Sequence, residues 1–206
     1  MTWGEIQLIS VKKMFLNTVG VGLEDLPMMR IDKKYAIYMN AMPETANEGI
    51  KIMITRGKPY IKSIVLDETM IDETRTNNDE YCIDLSKKIE NYGELCNVIV
   101  NNRDYNDYII RYNRYLYLPK HMLNGKVVEV SYKSIPEQID VETLDTDVID
   151  LPYDMLNILP LYIASELYKD DDISIATIYR NEFEAELENM RHDVNDVKFT
   201  SVNGWL

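Results

Sequence analysis

The stretch Asp150–Arg191, DLPYDMLNILPLYIASELYKDDDISIATIYRNEFEAELENMR, limits most strongly what this chain can fold into. Asp150 is placed to cap a helix, and Pro152 falls in its first turn, where a missing N–H costs little. Leu156, Leu159, Ile163 and Leu167 repeat at helical spacing, with Met155 and Tyr162 alongside. Asp170, Asp171 and Asp172 break the pattern and offer acceptors to the first amides of a following helix. Ile175, Tyr179, Phe183, Leu187 and Met190 form a second stripe. Each helix carries one apolar face, which predicts an antiparallel hairpin with Ile163, Tyr179, Phe183 and Leu187 in its core.

The beginning of the chain is also helical. Thr2 and Glu5 have the spacing of a capping box, and Leu8, Val11 and Phe15 make one face of a helix ending near Asn17. Gly20 and Gly22 mark a loop. A second helix is predicted from Asp25-Leu26-Pro27, with a stripe of Ile31, Tyr35, Tyr38 and Met42. Pro43 is expected to kink or interrupt it. Ala46, Ile50 and Met53 continue the pattern to Arg56-Gly57, where Gly57 suits a C-cap.

From Lys58 to about Lys133 the period falls from near four to two. Ile61, Ser63 and Val65 alternate with Lys62, Ile64 and Leu66. Short strands follow at Tyr81–Leu85, Asn97–Val100, Tyr108–Tyr112, Tyr115–Leu118 and Lys126–Tyr132. Asn101–Asp104 is a turn cluster, and Asn124-Gly125 is the strongest hairpin signal. The prediction is an α+β chain. Residues 1–57 and 134–193 form a helical core, and 58–133 form an inserted antiparallel β-sandwich or barrel. Ser134–Asp150 is the polar return linker, and 194–206 an extended tail. In that tail Val197, Phe199 and Ser201 alternate with Lys198, Thr200 and Val202 ahead of Trp205 and Leu206. A lone strand needs a neighbour for its backbone groups.

Charge is distributed unevenly. The chain carries a net charge of −13, yet residues 137–196 alone hold 17 acidic against three basic residues, and 1–136 are balanced. Asp170, Asp171, Asp172, Glu182, Glu184, Glu186 and Glu188 define an acidic face. Tight binding of DNA by such a surface is not expected, because DNA affinity comes from Lys and Arg neutralising phosphates. Three readings fit: a solvated face, a channel wall along which DNA slides, or a surface that docks on a basic partner.

Catalytic chemistry has little foothold. Neither a P-loop nor a GxGxxG or GxSxG motif is present, and His121 and His192 lie in different segments with no nucleophile motif nearby. Three consecutive aspartates do not converge on one cation, so a capping turn is favoured over a metal site. Cys82 and Cys96 lack metal-ligand spacing and are read as free thiols rather than a pair. No cofactor is expected. No apolar run approaches the roughly 20 residues of a membrane span, and MTWGEIQ lacks the pattern of a signal peptide. Tyr105, Tyr108, Tyr112, Tyr115 and Tyr117 crowd one β region. They serve as cross-strand pairs or as a face for sugars or proteins.

The segments LPYDMLNILPLYIASELYKDDD and IYRNEFEAELENM, the ending GWL and the opening TWGEIQLISVKKMFL together resemble head–tail connector (adaptor) proteins of tailed bacteriophages. The resemblance covers roughly the first 55 and last 60 residues and leaves out the middle. It implies a non-enzymatic structural protein of the virion neck, made in the bacterial host cytoplasm. Such a protein forms a ring of about twelve copies beneath the portal. Its partners would be itself, the portal, and tail or stopper proteins, with DNA passing through the channel and no membrane contact. The tail residues Val197, Phe199, Thr200, Ser201, Val202, Trp205 and Leu206 would then dock on the portal by strand addition and an aromatic anchor, the alternative being a tail that pairs with the chain's own β-domain or stays disordered. The alternatives are a soluble binding module whose Tyr-rich β-domain holds a carbohydrate or a host or virion protein and, more weakly, a metal-dependent hydrolase using the acidic cluster.

Overall fold

The computed structural model describes residues 1–15 and 20–195, the side chains of 192–195 excepted. Asn17, His192 as a side chain and the tail positions Val197–Leu206 lie outside the described residues. The chain divides into two compact units, Met1–Lys58 with Gln138–Leu206, and Pro59–Glu137. The described residues form six α-helices and two antiparallel sheets, a mixed α+β architecture.

In the first unit, α1 (Trp3–Met14) opens on the capping box: Glu5 N–H donates to Thr2 Oγ1 at 3.3 Å and Thr2 N–H to Glu5 Oε2 at 2.7 Å. Its buried face is Trp3, Ile6, Gln7, Ser10, Val11 and Met14, while Leu8 is only half-buried. The first helical amides point at the return segment. Trp3 N–H donates to Asp147 O and Gly4 N–H to Asp145 O, which satisfies donors that a helix start leaves orphaned. Ile149 N–H reaches Met1 O, and Asn47 exchanges two hydrogen bonds with the backbone of buried Ile139. Residues 138–149, within the segment 134–150 expected as a polar return linker, are therefore fastened to the helices.

The second predicted helix is two helices, α2 (Leu26–Ile31) and α3 (Ala36–Ile52). The break lies at Asp32, whose carboxylate takes the Lys34 N–H at 2.8 Å and whose backbone is extended, so the expected stripe through Ile31 does not exist. Ile31 is 73% exposed, and Tyr35 and Tyr38 instead pack edge-on against Phe15. Pro43 does not interrupt the chain: α3 runs through it, as α5 (Tyr153–Leu167) runs through Pro160, both prolines buried. Burial of an apolar face outweighs the roughly 3 kcal/mol that an interior proline costs. Beyond α3 the chain makes one π-helical turn, Met53–Gly57, closed by Lys58 N–H on Met53 O. Gly57 serves close packing rather than a left-handed cap, since a Cβ there would stand 2.8 Å from Leu187 Cδ1.

Asp150 does not cap α5, which starts after Pro152 with no side-chain cap. The helix is buried almost all round, from Met155 to Ser165 apart from Asn157, because α1, α3 and α6 (Ile173–Asn195) all pack on it. Gly49 of α3 allows the closest approach, with a built Cβ only 2.7 Å from Tyr162 Cδ1 and 3.0 Å from Leu159 Cδ1. Gly49→Ala is expected to destabilise the helical unit by about 1–3 kcal/mol despite its better helix propensity. Urea unfolding followed by circular dichroism measures it, and a stabilised variant would contradict this packing.

The second unit contains a four-stranded sheet in the order β1-β7-β3-β4 (β1 Ile61–Leu66, β3 Tyr92–Val100, β4 Arg103–Asp104, β7 Val128–Ser134). A three-stranded sheet has the order β2-β6-β5 (β2 Glu80–Asp84, β5 Ile109–Arg111, β6 Tyr115–Pro119). The short helix α4 (Leu85–Lys88) follows β2. Leu66, Val98, Val128, Val130 and Tyr132 from the first sheet share one core with Ile83, Leu116 and Leu118 from the second. Neither sheet closes on itself, so the barrel alternative fails. Asn124-Gly125 does not form a hairpin either: β6 and β7 belong to different sheets, and a 3-10 turn at Lys120–Met122 carries the chain between them. The tight turns are Asn101-Asn102, with φ of 49° and 64°, and Tyr112-Asn113, with φ of 55° and 50°.

Candidate interaction surfaces

The α5–α6 turn spreads its three aspartates apart. Asp172 caps α6, accepting from Ser174 N–H at 3.0 Å and Ile175 N–H at 3.1 Å. Asp171 accepts the Tyr38 hydroxyl at 2.6 Å, a bond that pushes the Tyr38 pKa up to about 12. Asp170 is exposed. Among the described residues no three His, Cys, Asp or Glu side chains are grouped to hold a metal ion.

Along α6 the glutamates do not share one face. At about 100° per residue, Glu182 and Glu186 fall on one side and Glu184 and Glu188 on the other. Glu184 is engaged by Arg56 at 2.8 Å and Arg180 at 3.1 Å, and Arg191 approaches Glu188 at 3.5 Å. Glu166 pairs with Arg180 at 2.8 Å and Lys169 at 3.1 Å. Glu182 and Glu186 are exposed, without a basic partner among the described residues. The acidic face of the sequence thus separates into a capping turn, an ion-paired side and an outward stripe.

The five crowded tyrosines separate as well. Tyr105 and Tyr108 pack against the β core, and Tyr112 stands at a turn tip, 90% exposed. Only Tyr115 and Tyr117, two residues apart on β6, share the outer face of the three-stranded sheet. Arginines cover both. The Arg75 and Arg114 guanidinium carbons lie 4.3 and 5.0 Å from the Tyr115 ring centroid, and that of Arg111 lies 5.0 Å from Tyr117. Arg114 is held in place by Asp84, with Nε and Nη2 each 2.7 Å from a carboxylate oxygen. The Tyr117 hydroxyl is raised above its ordinary pKa by its hydrogen bond to Cys82, and burial raises the Cys82 thiol. Cys82 and Cys96 are both free.

This arginine–tyrosine face escaped the sequence reading. Arg111 and Arg114 do stand among the tyrosines, but Arg75 arrives from a loop about 40 residues earlier, which no local pattern signals. The docking tail, Val197, Phe199, Thr200, Ser201, Val202, Trp205 and Leu206, lies outside the described residues. Among the described residues no helix is long and apolar enough to cross a membrane. A scan against protein-family models finds no match, and a search of curated proteins finds no similar sequence.

Proposed function

We propose that this protein is a structural, non-catalytic subunit of the head–tail connector of a tailed bacteriophage. Copies form a ring beneath the portal, continue the DNA channel and join capsid to tail. One observation carries the reading beyond the resemblance of its terminal helices: the helical unit leaves large apolar side chains uncovered outside its buried centre. Met28, Ile31 and Ile37 on α2 and the start of α3 are exposed, and so are Val141, Leu144, Val148 and Tyr153 on the return segment and the start of α5. Exposed apolar surface of this kind suits burial between subunits. The acidity of residues 137–196 suits a wall past which DNA slides without adhering.

The test is light scattering and negative-stain imaging of the purified protein, alone and mixed with its portal, beside a variant lacking Asp196–Leu206. The full chain is expected to form rings alone or on the portal. The shortened chain is expected to fold and to lose portal binding. A full chain that stays monomeric under both conditions rejects the connector reading. Unchanged portal affinity of the shortened chain rejects the docking role of the tail. The arginine–tyrosine face favours a second reading, a binding module for an anionic carbohydrate or a protein, in which the chain stays monomeric and retains such a ligand.

A further inference from the structure

The outer face of the β2-β6-β5 sheet gathers three arginines, Arg75, Arg111 and Arg114, of which Arg114 is neutralised by Asp84. Arg75 and Arg111 are exposed, with their guanidinium carbons 4.3 Å from the Tyr115 centroid and 5.0 Å from the Tyr117 centroid. Arg111 has no carboxylate partner among the described residues, and the nearest carboxylate oxygen to Arg75 is that of Asp72, at 3.8 Å. β5 is the edge strand of its sheet, so one side of its backbone is unpaired, and Ile109 beside Arg111 is 45% exposed. Arginine and tyrosine are, with tryptophan, enriched at the energetic centres of protein interfaces, and an uncovered apolar edge strand is a surface that proteins normally protect.

The chain carries the complement of this face. On α6, Ile178, Glu182 and Glu186 follow one another at four-residue spacing along one side of the helix. All three are exposed, and the two carboxylates have no basic partner among the described residues. We infer that the Arg75–Arg111–Tyr117 face of one copy receives the Ile178–Glu182–Glu186 stripe of a second copy, guanidinium to carboxylate and isoleucine to isoleucine. The contact uses different surfaces on the two copies. It is therefore heterologous, the type that generates a ring when its rotation closes. The inference rests on the connector reading and names the surfaces through which neighbouring copies meet.

Charge reversal tests it. One variant carries Arg75→Glu and Arg111→Glu, leaving Arg114 on its buried aspartate; the other carries Glu182→Lys and Glu186→Lys. All are exposed positions, and circular dichroism verifies that both variants fold. Assembly is followed by light scattering against concentration. Each variant alone should need at least about tenfold more protein to assemble than the wild type. An equimolar mixture of the two should assemble again, because each mutated surface meets its reversed counterpart on the other variant. Raising the salt from 0.1 to 1 M, which shortens the screening length from about 10 to 3 Å, should weaken wild-type assembly.

Folded variants that assemble like the wild type overturn this pairing and leave the ring intact. Loss of assembly in both without recovery in the mixture also overturns it. If the arginine variant instead loses binding to duplex DNA or an anionic glycan while assembling normally, the face serves that ligand and the pairing is wrong. A wild-type chain that never assembles, alone or with portal, removes the connector reading and this contact together.

Discussion

Replacing Phe183 with alanine is expected to lower the stability of the helical unit by about 3–5 kcal/mol. The side chain is fully buried, and its ring centroid stands 5.1 Å from that of Tyr162 on α5. The Arg180 guanidinium covers both rings, at 5.7 Å from Phe183 and 5.2 Å from Tyr162. Truncation would remove the largest apolar group that α6 contributes to the contact and open a cavity beside a helix that is itself buried almost all round. Part of the loss is specific to the ring pair, about 0.5–1.5 kcal/mol, and a cycle with Tyr162→Leu isolates it. Urea denaturation followed by helical circular dichroism provides the measurement. A near-neutral Phe183→Ala would mean that α6 does not hold the unit together.

Asp84→Ala should be nearly as damaging, by about 2–4 kcal/mol, and in the other unit. Asp84 is 2% exposed, and its carboxylate receives two hydrogen bonds from Arg114 and one from Ser86. Removing it leaves a charged guanidinium over Tyr115 without its acceptor, although partial exposure of Arg114 lets water replace some of the loss. The Arg114 hydrogen bonds hold the Asp84 carboxyl below its ordinary pKa. A depressed carboxylate contributes its stability in full above the unfolded value of about 3.9 and loses it as the pH falls through the folded value. Wild-type stability should therefore decline on acidification below about pH 5, and Asp84→Asn should flatten that decline. Equal slopes for the two proteins would show that the pair does not set the acid response.

Where one rule acts locally, sequence and structure coincide. The Thr2–Glu5 box needs only four consecutive residues, and it forms. The alternation Val128, Val130, Tyr132 inward against Glu129, Ser131, Lys133 outward survives intact, because a strand buried on one face cannot slip by one residue. The turn at Asn101-Asn102 follows from asparagine tolerating positive φ. Where two rules compete, the sequence misleads. The stripe from Ile31 to Met42 has helical spacing, but a single Asp32 side chain captures a nearby amide and ends the helix. Asn124-Gly125 is chemically suited to a hairpin, yet strand pairing is decided by partners far away in the chain. Tyr112 at positive φ is conformationally costly and could not be anticipated. The arginine–tyrosine face was illegible for the same reason, because its stacking joins a loop to two strands. The acidic run was legible as composition, but not in its division among cap, ion pairs and outward stripe.

The stitching of residues 145–149 onto the first amides of α1 imposes an order on synthesis. At about 5–20 residues per second, α1 and α3 leave the ribosome well before the helix they surround. The β unit is contiguous and can close first, while the helical unit must wait for α5 and α6. Until then Trp3, Ile6, Met42 and Ile50 have no completed core to enter. Products that stop short of α5 would hold a finished middle between unfinished ends, ready prey for proteases. Only chains translated through α6 would complete the helical core, so translation itself would separate finished copies from defective ones.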